Sequence, residues 1–221
     1  MCKETYNIKQ AELVRECEEP YRKGLKERTK SGLFSENLLI NFLQEEFKGK
    51  LFFKGIKACK VNTRNEFEEI TEYEFKNRLS PQTDVVCYSN EEDIWKRNDG
   101  YEYIPYSKVK FVIEVKKKDT IKTDQISRLV NFYNSVRIFF VVFREKESRK
   151  PVMEMRFSKK ILGEVGDRKD ISIFMFSRQN TTESRIIKQK LLEGAPETIR
   201  IKGFEGQLEK LVKKIEKLLF K

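Results

Sequence analysis

Apolar positions at 33, 34, 38, 39, 42, 43 and 47 recur at the spacing of one helical face, which predicts a helix from Leu33 to Phe47 with Ser31 or Ser35 as N-cap. Downstream the period shortens. Leu51 to Val61, with Phe52, Phe53, Ile56 and Ala58 apolar, predicts a first strand, and Val85-Val86-Cys87-Tyr88 a second. Val109 to Lys116 and Arg137 to Phe143 are almost continuous apolar runs, the pattern of strands buried on both faces. Between them, Thr120 to Tyr133 predicts a helix capped by Thr120 or Thr123. It would pack through Ile126, Leu129, Val130 and Phe132 or Tyr133.

The flanks are more polar. Residues 1–30, with Ile8, Ala11, Leu13 and Val14, predict a helical segment ending near Pro20. Tyr101 to Pro105 reads as a short edge strand. Beyond Arg144, Val152 to Phe157 and Ile171 to Phe176 read as two strands separated by a Gly163 to Asp170 loop. A last amphipathic helix is expected from about Phe204 to Phe220, with Leu208, Leu211, Val212, Ile215, Leu218 and Leu219 on one side. It is either a lid over the core or a homodimer contact. The expected organisation is an N-terminal helical segment (1–30), a core (31–145) and a C-terminal extension (146–221).

Three charges break the strand pattern. Asp84 opens the second strand, and Glu114 and Lys116 end the run Phe111-Val112-Ile113-Glu114-Val115-Lys116. Side chains alternate along a strand, so Glu114 and Lys116 share a face, roughly 7 Å apart. If the Asp84 strand lies alongside, two carboxylates and an ammonium converge. Hard oxygen ligands of this kind suit Mg²⁺ completed by waters and phosphate oxygens, with Mn²⁺ as a substitute. A neighbouring lysine can orient water or stabilise developing negative charge. The plainer alternative is a cross-strand ion pair at a strand end, with Asp84 in a turn after Pro81.

The segment Pro81-Gln82-Thr83-Asp84 followed by a hydrophobic strand ending Glu114-Val115-Lys116 resembles the signature of the PD-(D/E)XK, or restriction-endonuclease-like, nucleases. The strict signature sets Pro beside Asp, whereas here two residues intervene. The resemblance implies an α/β core of helix, three strands, helix and strand, with a mixed central sheet flanked by helices, and C-terminal strand and helix additions. It further implies a divalent-metal-dependent endodeoxyribonuclease. Asp84 and Glu114 would be metal ligands, joined by the main-chain carbonyl of Val115, and Lys116 would position or activate water. Glu36 matches the first-helix acidic position; otherwise it is an exposed first-turn glutamate favoured by the helix dipole. Gln125 is the polar residue of the second helix that would reach the site.

Lys and Arg number 46 against 35 Asp and Glu, a net charge of +11, which favours a phosphate-backbone partner, with a membrane surface or plain solubility as the alternatives; the resemblance implies that the partner is DNA. Lys96, Arg97, Lys117 and Lys118 are candidate backbone contacts, with aromatic residues between Trp95 and Tyr106 as stacking candidates. The chain has no histidine, which removes Ser-His-Asp, Cys-His and His-ligated metal chemistry. Its four cysteines, Cys2, Cys17, Cys59 and Cys87, form no zinc-type spacing. No phosphate-binding P-loop sequence occurs. Neither a bilayer-spanning run nor an apolar N-terminal leader is present, so a soluble, cytoplasmic protein without membrane contact is expected. The rival to an enzyme is a nucleic-acid-binding or assembly protein with this fold and little turnover.

Overall fold

The computed structural model describes residues 3–22, 28–97, 100–116, 123–143, 152–156, 171–176, 185–189, 198–202 and 206–219. Helices α1 (Lys3–Arg22) and α2 (Arg28–Glu46) precede two short strands, β1 (Phe52–Lys54) and β2 (Lys57–Cys59). Short helices α3 (Arg64–Glu69) and α4 (Glu72–Asn77) lead to β3 (Val85–Tyr88), β4 (Trp95–Lys96), β5 (Glu102–Pro105) and β6 (Phe111–Lys116). Helix α5 (Thr123–Phe132) connects β6 to β7 (Arg137–Phe143). Then come β8 (Val152–Arg156), β9 (Ile171–Phe176), β10 (Arg185–Gln189), β11 (Thr198–Lys202) and α6 (Gln207–Leu219).

The central sheet runs β1-β3-β6-β7-β9 and is mixed. β1, β3 and β6 are antiparallel neighbours, whereas β6, β7 and β9 are parallel. A parallel neighbour requires a crossover, and α5 supplies it between β6 and β7. Both faces of this sheet are covered, the reason its inner strands read as continuous apolar runs. On one face Val86, Val112, Ile138, Phe140 and Val142 pack against Leu129, Val130 and Tyr133, which come from α5 and the residue after it. On the other, Val85, Phe111, Ile113, Phe139, Val141 and Phe174 meet α1, α2 and α6. The architecture is α/β: a mixed sheet between helical layers, with no barrel.

Several expectations need correction. Leu51 to Val61 is not one strand: β1 belongs to the central sheet, while β2 pairs in parallel with β5 in a separate sheet ordered β2-β5-β4. Gly55 marks the break. Strand β5 is therefore the middle of its sheet rather than an edge. The first core helix starts at Arg28, earlier than the pattern implies, and Gly49 just beyond its end takes a left-handed φ of 73°. Helices α3 and α4 went unread, although Thr63 and Thr71 cap them by accepting from the N–H groups of Glu66 and Glu74. Among the described residues the C-terminal region holds four strands rather than two, of which β10, β11 and β8 form an antiparallel sheet.

The chain's two ends meet on the core. Asn7 and Gln10 of α1 accept from the backbone N–H groups of Gly206 and Leu208, satisfying donors at the start of α6. The apolar side of α6, through Leu208, Leu211, Val212 and Ile215, is buried on the sheet. It is the lid, and that side is not exposed for a dimer contact. Among the described residues, no helix is long and apolar enough to cross a membrane.

Candidate active site

Antiparallel pairing of β3 with β6 sets Val85 opposite Ile113 and Val86 opposite Val112. One step further the same register brings Asp84 opposite Glu114. Both carry their side chains on the face that α5 covers, as does Lys116, because each lies an even number of residues from Val86 or Val112. The ends of the strands thus bring together the three charges that the apolar pattern failed to accommodate.

The Val115 N–H donates to Asp84 Oδ2 at 2.7 Å. Lys116 Nζ stands 3.7 Å from the same oxygen and donates to Glu114 Oε1. The side chains of Asp84, Glu114 and Lys116 are 12%, 1% and 19% exposed. Burial drives the Glu114 carboxyl up from 4.5 to about 7; the charge of Asp84 adds to the rise, Lys116 opposes it, and the charge of Glu36 raises it further. Asp84 is also raised by burial, against the pull of Lys116 and the bond from Val115. Glu114 Oε1 accepts from Lys116, while its buried Oε2 accepts no hydrogen bond among the described residues.

Glu36 projects from α2, which packs on the opposite face of the sheet, and it is half-buried. Its charge nevertheless reaches Glu114, so it lies at the margin of the cluster. Lys117 and Lys118 fall outside the described residues. Gln125 belongs to α5, and its side chain is likewise outside them. Lys96 is on β4, exposed, and 3.5 Å from Glu102. Arg97 requires correction: its guanidinium lies 4.2 Å from the Phe75 ring centre and donates to the carbonyls of Phe67 and Ile70. A side chain so committed, and only 17% exposed, braces α3 and α4 rather than facing a phosphate.

The two carboxylates are ligands of the kind a hard divalent cation takes, since Mg²⁺ is commonly held by one or two carboxylates plus substrate oxygens and water; the Lys116 ammonium is a neighbouring charge and not a ligand. The Lys116 ammonium lies close to both carboxylates. Among the described residues no three Asp, Glu or Cys side chains form a closed metal cage. Two hydroxyl residues beside the site carried no functional signal in the sequence. Thr83 precedes Asp84, and Tyr133 reads simply as an apolar helix-face residue.

This is the sheet-and-helix arrangement of an α/β protein whose charged cluster sits at the end of its central strands. The chain is similar in fold to NucC of P. aeruginosa ATCC27853 in its cAAA-bound form, with a TM-score of 0.62 and 10% identity over 100% of this chain and 91% of that one. It is similar also to cAAA-bound NucC of E. coli MS115-1, with a TM-score of 0.61 and 12% identity over 100% and 90% of the two chains. No protein-family model and no curated protein matches it. At these identities the likeness is one of fold.

Proposed function

We propose that the chain is a divalent-metal-dependent nuclease of the PD-(D/E)XK type that hydrolyses internal phosphodiester bonds of DNA. One observation carries the reading: Asp84 and Glu114, buried side by side at the ends of adjacent strands, share one lysine. A purely structural ion pair does not require a second carboxylate, whose desolvation and repulsion push Glu114 up to about 7. Clusters with ionisations shifted in this way are characteristic of chemical sites. The net charge of +11 suits a phosphate backbone.

Asp84 and Glu114, with the Val115 carbonyl, would hold Mg²⁺ or Mn²⁺, which supplies Lewis acidity toward a phosphate oxygen. The protein's own groups do the rest. Val115 N–H holds Asp84 with its Oδ2 turned to the shared point. Lys116 Nζ, now hydrogen-bonded to Glu114, is placed to donate to the attacking water or to a phosphate oxygen as charge accumulates. Glu114, as a ligand, would be held ionised and would contribute its negative charge to the cation's site. Glu36 contributes by its charge at the margin.

The test is nicking of supercoiled plasmid in Mg²⁺ by the wild type beside Asp84→Ala, Glu114→Ala and Lys116→Ala. Because both neighbouring structures hold cAAA, the assay is run with and without that ligand. Wild-type nicking lost in all three variants supports the reading. Equal nicking by all four proteins, or none by the wild type under either condition, rejects it.

A further inference from the structure

The two residues that separate Pro81 from Asp84 lengthen the lever on which the carboxylate is carried. Backbone of this kind is free unless something anchors it. One end is fixed at Ser80, whose N–H donates to the Ala58 carbonyl at 2.8 Å and whose Oγ accepts from the Ala58 N–H at 3.1 Å. Near the other end, Thr83 Oγ1 donates to the Pro81 carbonyl at 3.1 Å and lies 3.1 Å from the Tyr133 hydroxyl. A threonine hydroxyl has one proton. With that proton on Pro81, the Tyr133 phenol is the donor to Thr83. The phenol therefore ties the Asp84 end of the inserted stretch, while Ala58 ties the other, with Ser80, Thr83 and Tyr133 all buried, the last at 0% exposure.

Tyr133 is itself held. Its N–H donates to the Leu129 carbonyl at 2.8 Å, and its ring stacks on Tyr106 and meets the edge of Phe132. It follows directly on α5, the helix covering the sheet face that carries Asp84 and Glu114, and the Glu114 charge reaches its hydroxyl. A phenylalanine would fill the same space while leaving the Thr83 hydroxyl without its donor.

We propose that Tyr133 is a positioning residue for Asp84, acting through the Thr83 hydroxyl to keep the carboxylate opposite Glu114. Its consequence for metal binding rests on the nuclease reading; the placement itself does not. The reporter is the Val115 amide, whose proton is held by Asp84 Oδ2. In metal-free protein, Tyr133→Phe should speed exchange of this amide about tenfold relative to that of Phe139 in the core of β7, the size expected for weakening one buried hydrogen bond. Thr83→Val should do the same, and the double variant should be no worse than either, since both remove one link. Calorimetric Mn²⁺ affinity should fall by roughly threefold to tenfold in each variant.

An unchanged ratio of Val115 to Phe139 exchange in Tyr133→Phe overturns the proposal, because a phenol that only fills the core leaves that ratio alone. If Tyr133→Phe does not fold, the same ratio in Thr83→Val decides. Wild-type protein that binds no Mn²⁺ removes the nuclease reading, while the exchange ratio still decides whether Tyr133 places Asp84.

Discussion

The backbone N–H of Val115 donates to Asp84 Oδ2 at 2.7 Å, so a side chain takes a strand donor just past the last paired residues of β3 and β6. The carboxylate is thereby attached to the strand that carries Glu114 and Lys116. Groups fixed by a sheet hold their separation better than groups on loops, and a reacting centre depends on that separation.

Asp84→Asn separates the two tasks of this residue. The amide oxygen can still accept from Val115, but the negative charge is gone. Plasmid nicking should fall by about 100-fold or more, the scale of losing a principal electrostatic contact in a reacting site. The melting temperature should move by no more than about 3 °C. Near-wild-type nicking by Asp84→Asn would show that the charge is not used.

Glu114 makes stability depend on pH in a direction opposite to that of an ordinary salt-bridged carboxylate. Its folded value, about 7, lies above the usual 4.5, so between these values the folded protein binds more protons than the unfolded chain. Stability therefore declines as pH rises through that window, and the raised Asp84 acts in the same sense. Glu114→Gln has no proton to lose. Its melting temperature relative to wild type should rise by roughly 5 °C between pH 5 and pH 8 in metal-free buffer. A pH-independent difference in scanning calorimetry would contradict the assignment.

Much of the core was legible because burial on both faces leaves a plain trace. Phe111 to Lys116 and Arg137 to Phe143 occur where their apolar runs predict, and the charges ending the first run identified the cluster. The break at Gly55 was not legible, since Phe52 to Cys59 keeps its apolar content while moving between sheets. Helices α3 and α4 are only six residues each and bury one phenylalanine apiece, too little for a periodicity, though the Thr63/Glu66 and Thr71/Glu74 capping pairs were readable. Arg97 stands among interleaved basic and aromatic residues, a pattern that suggests a nucleic-acid contact. Its actual partners, Phe67 and Phe75, are brought to it by those two helices. The role of Tyr133 depends on a hydroxyl 50 residues away in sequence, beyond any local pattern.

Gly55 offers a way to disturb the site without altering a charged residue. A Cβ at this position would lie 3.3 Å from the Asp84 carbonyl oxygen, closer than ordinary contact. The obstacle is backbone, and it yields only by moving Asp84. Gly55→Ala should lower nicking about tenfold at a temperature where the protein is fully folded. Phe53→Ala, which opens a cavity on the opposite sheet face, should cost about 3–5 kcal/mol in denaturant titration yet retain activity per folded molecule. Equal activity of Gly55→Ala and wild type would mean that the Asp84 backbone tolerates the displacement.

Divalent cations should reverse the pH trend, because a cation competes with the proton on Glu114 and binds the folded chain in preference to the unfolded one. At pH 8 the carboxylates are ionised and repel, so millimolar Mg²⁺ should raise the melting temperature by about 2–4 °C, with EDTA restoring the original value. At pH 5 Glu114 retains its proton and the rise should be nearly absent. Asp84→Asn and Glu114→Gln should each lose the pH 8 response, since each removes one of the paired charges. An equal rise at both pH values, or in both variants, would place the Mg²⁺ effect elsewhere on the protein.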